Sequence, residues 1–85
     1  MMANVVVTED AAEQLISLPR VIRARVMKLL ERLADWPEVS GAKPLGGDLA
    51  GKYRLRTGDY RLQFRIEDGD VVVEKTGHRD GFYED

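Results

Sequence analysis

Four arginines lie within fourteen residues of this chain, in the segment YRLRTGDYRLQFRI at residues 53–66. Apolar and basic residues alternate on both sides of a Thr-Gly-Asp sequence. Because neighbouring side chains of a β-strand point to opposite faces of the sheet, this pattern predicts a hairpin with one apolar face and one arginine face. Guanidinium groups bind phosphate or carboxylate through paired hydrogen bonds, so the arginine face is a candidate anion site.

The candidate anion site is formed by basic residues at the outward positions of the two predicted strands. They are Lys52, Arg54, Arg56, Arg61 and Arg65. The alternative is a solvated sheet face, which commonly mixes lysine with glutamate. The outward positions of these two strands include Gln63 and no carboxylate, which favours anion binding over simple solvation.

A second group of polar residues follows the last predicted strand, in the sequence TGHRDGFY. It contains the single histidine, His78, beside Arg79, with Tyr83 a few residues later. An imidazole, a guanidinium and a phenol near a basic face could support phosphodiester chemistry. The alternative is a frayed C-terminal segment whose aromatic residues merely cover the edge of the core, and the residues themselves do not decide between the two.

The composition predicts one soluble domain without a cofactor. The chain has 85 residues, 44% of them hydrophobic, and no cysteine. It contains no Cys/His cluster for zinc, no phosphate-binding glycine loop and no G-x-S-x-G motif, so neither metal nor cofactor is expected. The apolar runs are too short to cross a membrane and residues 1–10 do not resemble a signal peptide, so we expect a cytoplasmic protein.

The net charge of −2 conceals a strong segregation of charge along the chain. Residues 40–66 carry six basic and two acidic side chains, a net charge of +4, whereas residues 67–85 carry a net charge of −5. A local basic site is therefore compatible with the overall charge. A protein that coats nucleic acid indiscriminately would usually show a basic excess over its whole length.

The order of predicted elements indicates an α+β fold. A short strand at residues 4–7 precedes a helix that Thr8 caps, and Pro19 separates this helix from a second one that ends at Trp36–Pro37. Residues 37–51 are rich in proline and glycine and are predicted to be a loop. Strands then follow in a three-stranded antiparallel meander, with turns at 57–59 and 68–69 and strands at 60–66 and 71–76. The helical hairpin is expected to pack on one face of this sheet, opposite the arginines.

Three segments in this order resemble the RelE/ParE superfamily of bacterial toxins. They are LPRVIRARVMKLLERLADWP, GAKPLGGDLAGKYRLRTGDYRLQFRI and VVVEKTGHRDGFY. The resemblance implies that residues 1–85 form a single toxin domain with a RelE-like fold, in which a twisted antiparallel sheet carries a basic concave site. It also implies an antitoxin partner encoded by the adjacent gene. RelE-like members cleave mRNA in the ribosomal A site, while ParE-like members inhibit DNA gyrase and lack the nuclease residues.

The resemblance also assigns roles to individual residues. The positions of Lys52, Arg54 and Arg61 match basic active-site residues of RelE-like nucleases, and Arg79 and Tyr83 match the C-terminal arginine and tyrosine. Arg54 and His78 stand where the best-known nuclease has lysines. The expected catalytic set is therefore Lys52, Arg54, Arg61, His78, Arg79 and Tyr83, with Arg56 and Arg65 binding RNA. Arginine stays charged and is a poor base, which leaves Lys52 or His78 to take the proton.

The resemblance therefore predicts a metal-independent endoribonuclease that acts on mRNA in the translating ribosome and so inhibits translation. Its expected partners are the antitoxin and A-site mRNA, with no membrane and no specific DNA binding except through the antitoxin complex. We expect a partly disordered antitoxin segment to fold on the toxin and place acidic residues near Arg54 and Arg61. Two alternatives stay open: a ParE-like gyrase inhibitor without nuclease activity, and an inactive toxin fold that serves as a binding module.

Overall fold

The computed structural model describes residues 2–82, which contain two α-helices and a five-stranded mixed sheet. The helices are α1 (Glu9–Ile16) and α2 (Arg20–Arg32). The strands are β1 (Val5–Val7), β2 (Lys43–Pro44), β3 (Lys52–Thr57), β4 (Tyr60–Glu67) and β5 (Asp70–His78). Their order across the sheet is β1-β5-β4-β3-β2. The predicted α+β architecture, with a helical hairpin followed by an antiparallel meander, is confirmed.

Local sequence signals explain where the helices begin and end. The Thr8 hydroxyl accepts a hydrogen bond from the Ala11 backbone N–H at 3.1 Å, which caps the first turn of α1. Pro19 directly precedes α2, where its fixed φ is compatible with a helix start. A short 3₁₀ turn at Leu33–Asp35 extends α2 as far as Trp36. These signals produce the predicted pair of helices joined at Pro19.

The turns between the long strands also follow the predicted pattern. Asp68 and Gly69 both have positive φ, at 51° and 85°, as a two-residue hairpin turn of type I′ requires. Gly58, with a φ of 59°, begins the turn between β3 and β4. Each turn brings sequence-adjacent strands into antiparallel register, so residues 52–78 form a continuous meander.

Both edges of the sheet differ from the sequence-based expectation in detail. The N-terminal strand β1 pairs parallel to the last strand of the chain, with Val5 opposite Val71. Residues 37–51 were predicted to be a loop, but Lys43 and Pro44 add a short edge strand to β3. The last strand is also longer than expected, because it extends to His78.

The hydrophobic core lies between the two helices and one face of the sheet. Val26, Leu29 and Leu33 of the helical side meet buried residues of the three long strands: Leu55, Leu62, Phe64, Val71 and Val73. Trp36 closes one end of this core by packing edge-on against the rings of Tyr53 and Phe64. Among residues 2–82, no helix has the length and apolar character needed to cross a membrane. The opposite sheet face carries mostly polar side chains, with the buried Val72 beside Arg65.

Candidate RNA-binding and active site

The register of β3 and β4 gathers the predicted basic residues on one side of the sheet. Lys52 lies opposite Arg65, Arg54 opposite Gln63, and Arg56 opposite Arg61. Cross-strand partners project to the same side, and the intervening residues Leu55, Leu62 and Phe64 are buried in the core. We call the outward group of Lys52, Arg54, Arg56, Arg61 and Arg65 the basic face.

A carboxylate from the neighbouring strand corrects the expected charge of this face. Glu74 of β5 accepts a hydrogen bond from Lys52 Nζ at 2.7 Å and one from Gln63 Nε2 at 2.8 Å through its Oε1 atom. Its Oε2 atom lies 2.9 Å from Arg65 Nη1. The expectation of a face without carboxylates is therefore wrong, because Glu74 of β5 and Glu67 at the end of β4 both pair with Arg65 on this side.

Glu74 lies on the basic face at a β-bulge, where it follows the core residue Val73 along β5. Gln63 pairs with Lys75 and Phe64 pairs with Val73, so Glu74 is the extra residue of β5 at this point. Beyond the bulge, Thr76 pairs with the core residue Leu62, and Gly77 pairs with Arg61 on the outward side. The signal in the sequence is two consecutive polar residues, Glu74–Lys75, at the end of an apolar run; sequence analysis did not use it and missed Glu74.

The contacts of Glu74 hold it in the ionised form. Partial burial alone would raise the pKa of its carboxyl, but hydrogen bonds from Lys52, Gln63 and Arg65 together outweigh that effect and lower the pKa below the ordinary value. The hydrogen bonds of Arg65 to Glu67 and to Glu74 raise the pKa of its guanidinium. Lys52 is already ion-paired in this arrangement, with its Nζ 2.7 Å from the Glu74 carboxylate.

Arg54 and Arg61 differ from Lys52 and Arg65 because no carboxylate among residues 2–82 pairs with them. Their Nε atoms are buried and have no hydrogen-bond acceptor among residues 2–82. The two arginines are diagonal neighbours across β3 and β4, a separation that long side chains span readily. Two adjacent guanidinium groups with unused donors can bind a phosphodiester or a carboxylate.

The predicted C-terminal residues do not all lie on the basic face. The register pairs His78 with Tyr60, on the core side of the sheet, and the two rings meet edge-on with centroids 5.0 Å apart. His78 Nδ1 accepts a hydrogen bond from the Asp80 backbone N–H at 3.0 Å, which leaves Nε2 to carry the proton of the neutral ring. The predicted cluster of imidazole with arginines is therefore divided between two faces.

Arg79 lies at the end of the sheet beside the turn between β3 and β4. Its backbone N–H donates to the Asp59 carbonyl oxygen at 2.7 Å, and its exposed guanidinium is 3.8 Å from the Asp59 carboxylate and 3.7 Å from that of Asp80. Tyr83, the remaining predicted catalytic residue, lies outside the described residues. Among residues 2–82, no group of three or more His, Cys, Asp or Glu side chains is placed to bind a metal ion.

Comparisons with known proteins identify the class of this fold and site. Residues 5–81 match the family model described as "ParE toxin of type II toxin-antitoxin system, parDE". Toxin RelE of Mycobacterium tuberculosis is 39% identical over 72 residues, which cover 84% of this chain and 73% of that protein. The chain therefore belongs to the ParE toxin family of type II toxin–antitoxin systems.

Solved structures agree with this assignment. A chain in the crystal structure of the toxin–antitoxin complex RelBE2 from Mycobacterium tuberculosis superposes with a TM-score of 0.81 at 35% identity. The match covers 93% of this chain and 100% of that one. The isolated Escherichia coli RelE toxin superposes with a TM-score of 0.73 at 21% identity, covering 89% and 83% of the two chains, and shows the shared fold. The resemblance and the fold predicted from sequence are thus both confirmed.

Proposed function

We propose that this toxin is a ribosome-dependent endoribonuclease that cleaves mRNA in the ribosomal A site and so inhibits translation. The observation that carries the proposal is the pair of unneutralised guanidinium groups, Arg54 and Arg61, whose buried Nε atoms have no acceptor among the described residues. Similarity to the protein named Toxin RelE supports the choice of RNA cleavage within the family. A cytoplasmic location follows from the proposed ribosomal target.

The proposed reaction is attack of a ribose 2′-hydroxyl on the adjacent phosphorus. The 2′-oxygen–phosphorus bond forms, the phosphorus–5′-oxygen bond breaks, and the products are a 2′,3′-cyclic phosphate and a 5′-hydroxyl. The 2′-hydroxyl proton passes to a base, and the leaving 5′-oxygen receives a proton from an acid. No metal ion takes part in this scheme, since cationic side chains stabilise the charge on the phosphate oxygens.

The side chains divide these tasks according to their positions. Arg61 clamps the phosphate together with Arg54, because the Nε donors of both have no acceptor in the described part of the chain. Arg56 and Arg65 bind the flanking RNA backbone, Arg79 stabilises charge or assists the leaving group, and Tyr83 orients the nucleotide. The proton acceptor is Lys52 or His78, of which Lys52 is on the basic face but ion-paired and His78 is on the core side. Among residues 2–82, the basic face thus offers several cations that can stabilise charge on a phosphate. Its candidate base, Lys52, is already ion-paired with Glu74, which is consistent with a reaction that requires the ribosome.

Mapping of RNA ends in a reconstituted translation system tests this function. We expect the wild-type chain to create new 5′ ends within A-site codons, and Arg61→Ala to reduce the rate by about 10²–10³-fold because a preorganised charge is lost. Arg25→Ala is the matched control, since Arg25 is exposed on α2, away from the sheet. Absence of A-site ends with the wild-type protein, alongside growth arrest in cells, would overturn the proposal.

Gyrase inhibition is the second candidate, and the name of the matching family favours it. The basic face, whose Lys52 is already ion-paired, would then bind gyrase without catalysing a reaction. Supercoiling assays with purified gyrase separate the two candidates. Inhibition of supercoiling without RNA cleavage, and growth arrest that survives Arg61→Ala, would select the docking function.

We also propose that a cognate antitoxin, encoded by the adjacent gene, holds this toxin inactive. Several structural neighbours at high TM-score are toxin–antitoxin complexes from bacteria and archaea. The basic face is a suitable target for acidic residues of such a partner. In this proposal specific DNA binding belongs to the antitoxin complex rather than to the toxin itself.

A further inference from the structure

We propose that Glu74 determines the RNA selectivity of this toxin by engaging two of the five cations of the basic face, Lys52 and Arg65. Its carboxylate engages Lys52 and Arg65, so that free RNA meets mainly the arginine group of Arg54, Arg56 and Arg61. Binding to RNA outside the ribosome is thereby kept weak. The inference rests on the proposed function, which makes this face the RNA site.

The geometry of Glu74 is that of a fixed internal anion. Its side chain is 15% exposed, and both carboxylate oxygens are within hydrogen-bond distance of cationic or amide donors. Glu74 lies at the bulge within the central pairing of β4 and β5, so its backbone is fixed by the sheet. A phosphate that approached Lys52 or Arg65 would compete with this carboxylate for the same donors.

Glu67 provides a natural comparison within the same face. Its carboxylate also lies 2.9 Å from Arg65, but its side chain is 59% exposed and no contact with Lys52 is present among the described residues. Exposed ion pairs contribute little and rearrange easily. The two glutamates therefore share one partner and differ in burial and in their link to the predicted active-site lysine.

Salt dependence measures how many cations a protein offers to RNA. Each phosphate contact releases counterions, and the slope of log Kd against log salt changes by about 0.7 per contact for a single strand. If Glu74 withholds Lys52 and Arg65, then Glu74→Gln should steepen this slope by about 1.4 and tighten binding at low salt. The amide keeps the size of the side chain while it removes the charge.

The experiment uses the full chain and a single-stranded 2′-O-methyl RNA dodecamer, which lacks the attacking hydroxyl. Binding is measured between about 50 and 300 mM salt, the range over which counterion release dominates, for the wild type, Glu74→Gln, Glu67→Gln and Arg54→Ala. We expect Glu74→Gln to bind the RNA more tightly and with a steeper slope of log Kd against log salt. Glu67→Gln should show a slope close to wild type, and Arg54→Ala should bind more weakly. Thermal melting of each variant verifies that it is folded.

The outcomes separate this inference from the proposed function. An unchanged slope for folded Glu74→Gln, while Arg54→Ala weakens binding, overturns the role of Glu74 and leaves the RNA site in place. The same slope increase in Glu67→Gln as in Glu74→Gln also overturns it, because any removed carboxylate would then suffice. If neither Arg54→Ala nor Glu74→Gln alters binding, this face does not bind RNA and the proposed function itself fails.

Discussion

Individual side chains on the outward face of the sheet divide it into two electrostatic regions. Glu74 pairs with Lys52 and Arg65, whereas Arg54 and Arg61 keep unused buried donors within the described part of the chain. Leaving charged donors without acceptors costs free energy, so this arrangement is typical of a site prepared for an anionic ligand. The bare count of arginines in the sequence does not reveal this division.

The ion pairs of Glu74 predict a specific loss of stability in acid. Because the folded-state pKa of Glu74 is lowered below the ordinary glutamate value of 4.5, the stabilisation is fully present above about pH 4.5 and is lost as the pH falls through the folded-state pKa. Glu74→Gln should therefore lower the free energy of unfolding by about 1 kcal/mol at neutral pH, or about 4–8 °C in Tm. The deficit should shrink below pH 4.5.

Thermal denaturation of both proteins at neutral and acidic pH measures this difference. Glu67→Gln is the control, and it should change Tm less at neutral pH because its ion pair is exposed. A deficit of Glu74→Gln that is equal at neutral and acidic pH would show that packing, and not the ionised carboxylate, is responsible.

The position of His78 leads to a prediction about proton transfer. Because His78 packs against Tyr60 on the core side, we expect His78→Gln to retain the wild-type pH–rate profile of mRNA cleavage, while Lys52→Ala loses about 10²–10³-fold in rate. Single-turnover cleavage on programmed ribosomes between about pH 6 and 9, which spans the ordinary titration of histidine, is the measurement. Disappearance of a limb near neutral pH in folded His78→Gln would instead identify the imidazole as the group that carries the proton.

At the scale of elements, the tight turn between β4 and β5 fixes the register that the site depends on. Gly69 has a φ of 85°, a conformation that costs a residue with a side chain about 1–2 kcal/mol. Gly69→Ala should lower Tm by about 4–8 °C or more, because each kcal/mol has this effect in a domain of such size. Differential scanning calorimetry measures the change.

Gly46 is the matched control for this turn. Its φ of −118° suits any residue, and an added Cβ would meet no atom within 4 Å. Gly46→Ala should leave Tm unchanged or raise it slightly, because it restricts the unfolded chain without strain. If both alanine variants melted alike, backbone conformation at the turn would not be what determines stability there.

At the scale of the whole molecule, the proposed antitoxin should override the activity of the toxin. Co-expression with the adjacent open reading frame should restore growth and yield a complex that survives gel filtration, because a segment that folds on the surface can bury a large area. Expression of an unrelated small protein is the control and should not restore growth. Failure of any neighbouring gene product to bind would contradict the antitoxin proposal.

Much of this fold could be predicted from sequence because its signals are local. The Thr8 cap, the Pro19 break and the Asp68–Gly69 turn each depend on a few adjacent residues, and all are present in the structure. Alternation along residues 53–66 likewise determined which side chains share a face, because the period of a strand is two. The family was predicted from the resemblance of three sequence segments to known toxins.

Tertiary structure decided what depends on pairing between distant segments. The parallel pairing of β1 with β5 joins residues that are distant in the sequence, such as Val5 and Val71, and no local sequence pattern encodes it. The bulge at Glu74 shifts the alternation of β5 by one residue beyond that point, and this shift sends His78 to the core side, while Glu74 itself, next to the core residue Val73, points to the arginines. A one-residue shift exchanges the two faces of a strand, so the composition of the site was determined by the paired sheet and not by the sequence of any single strand.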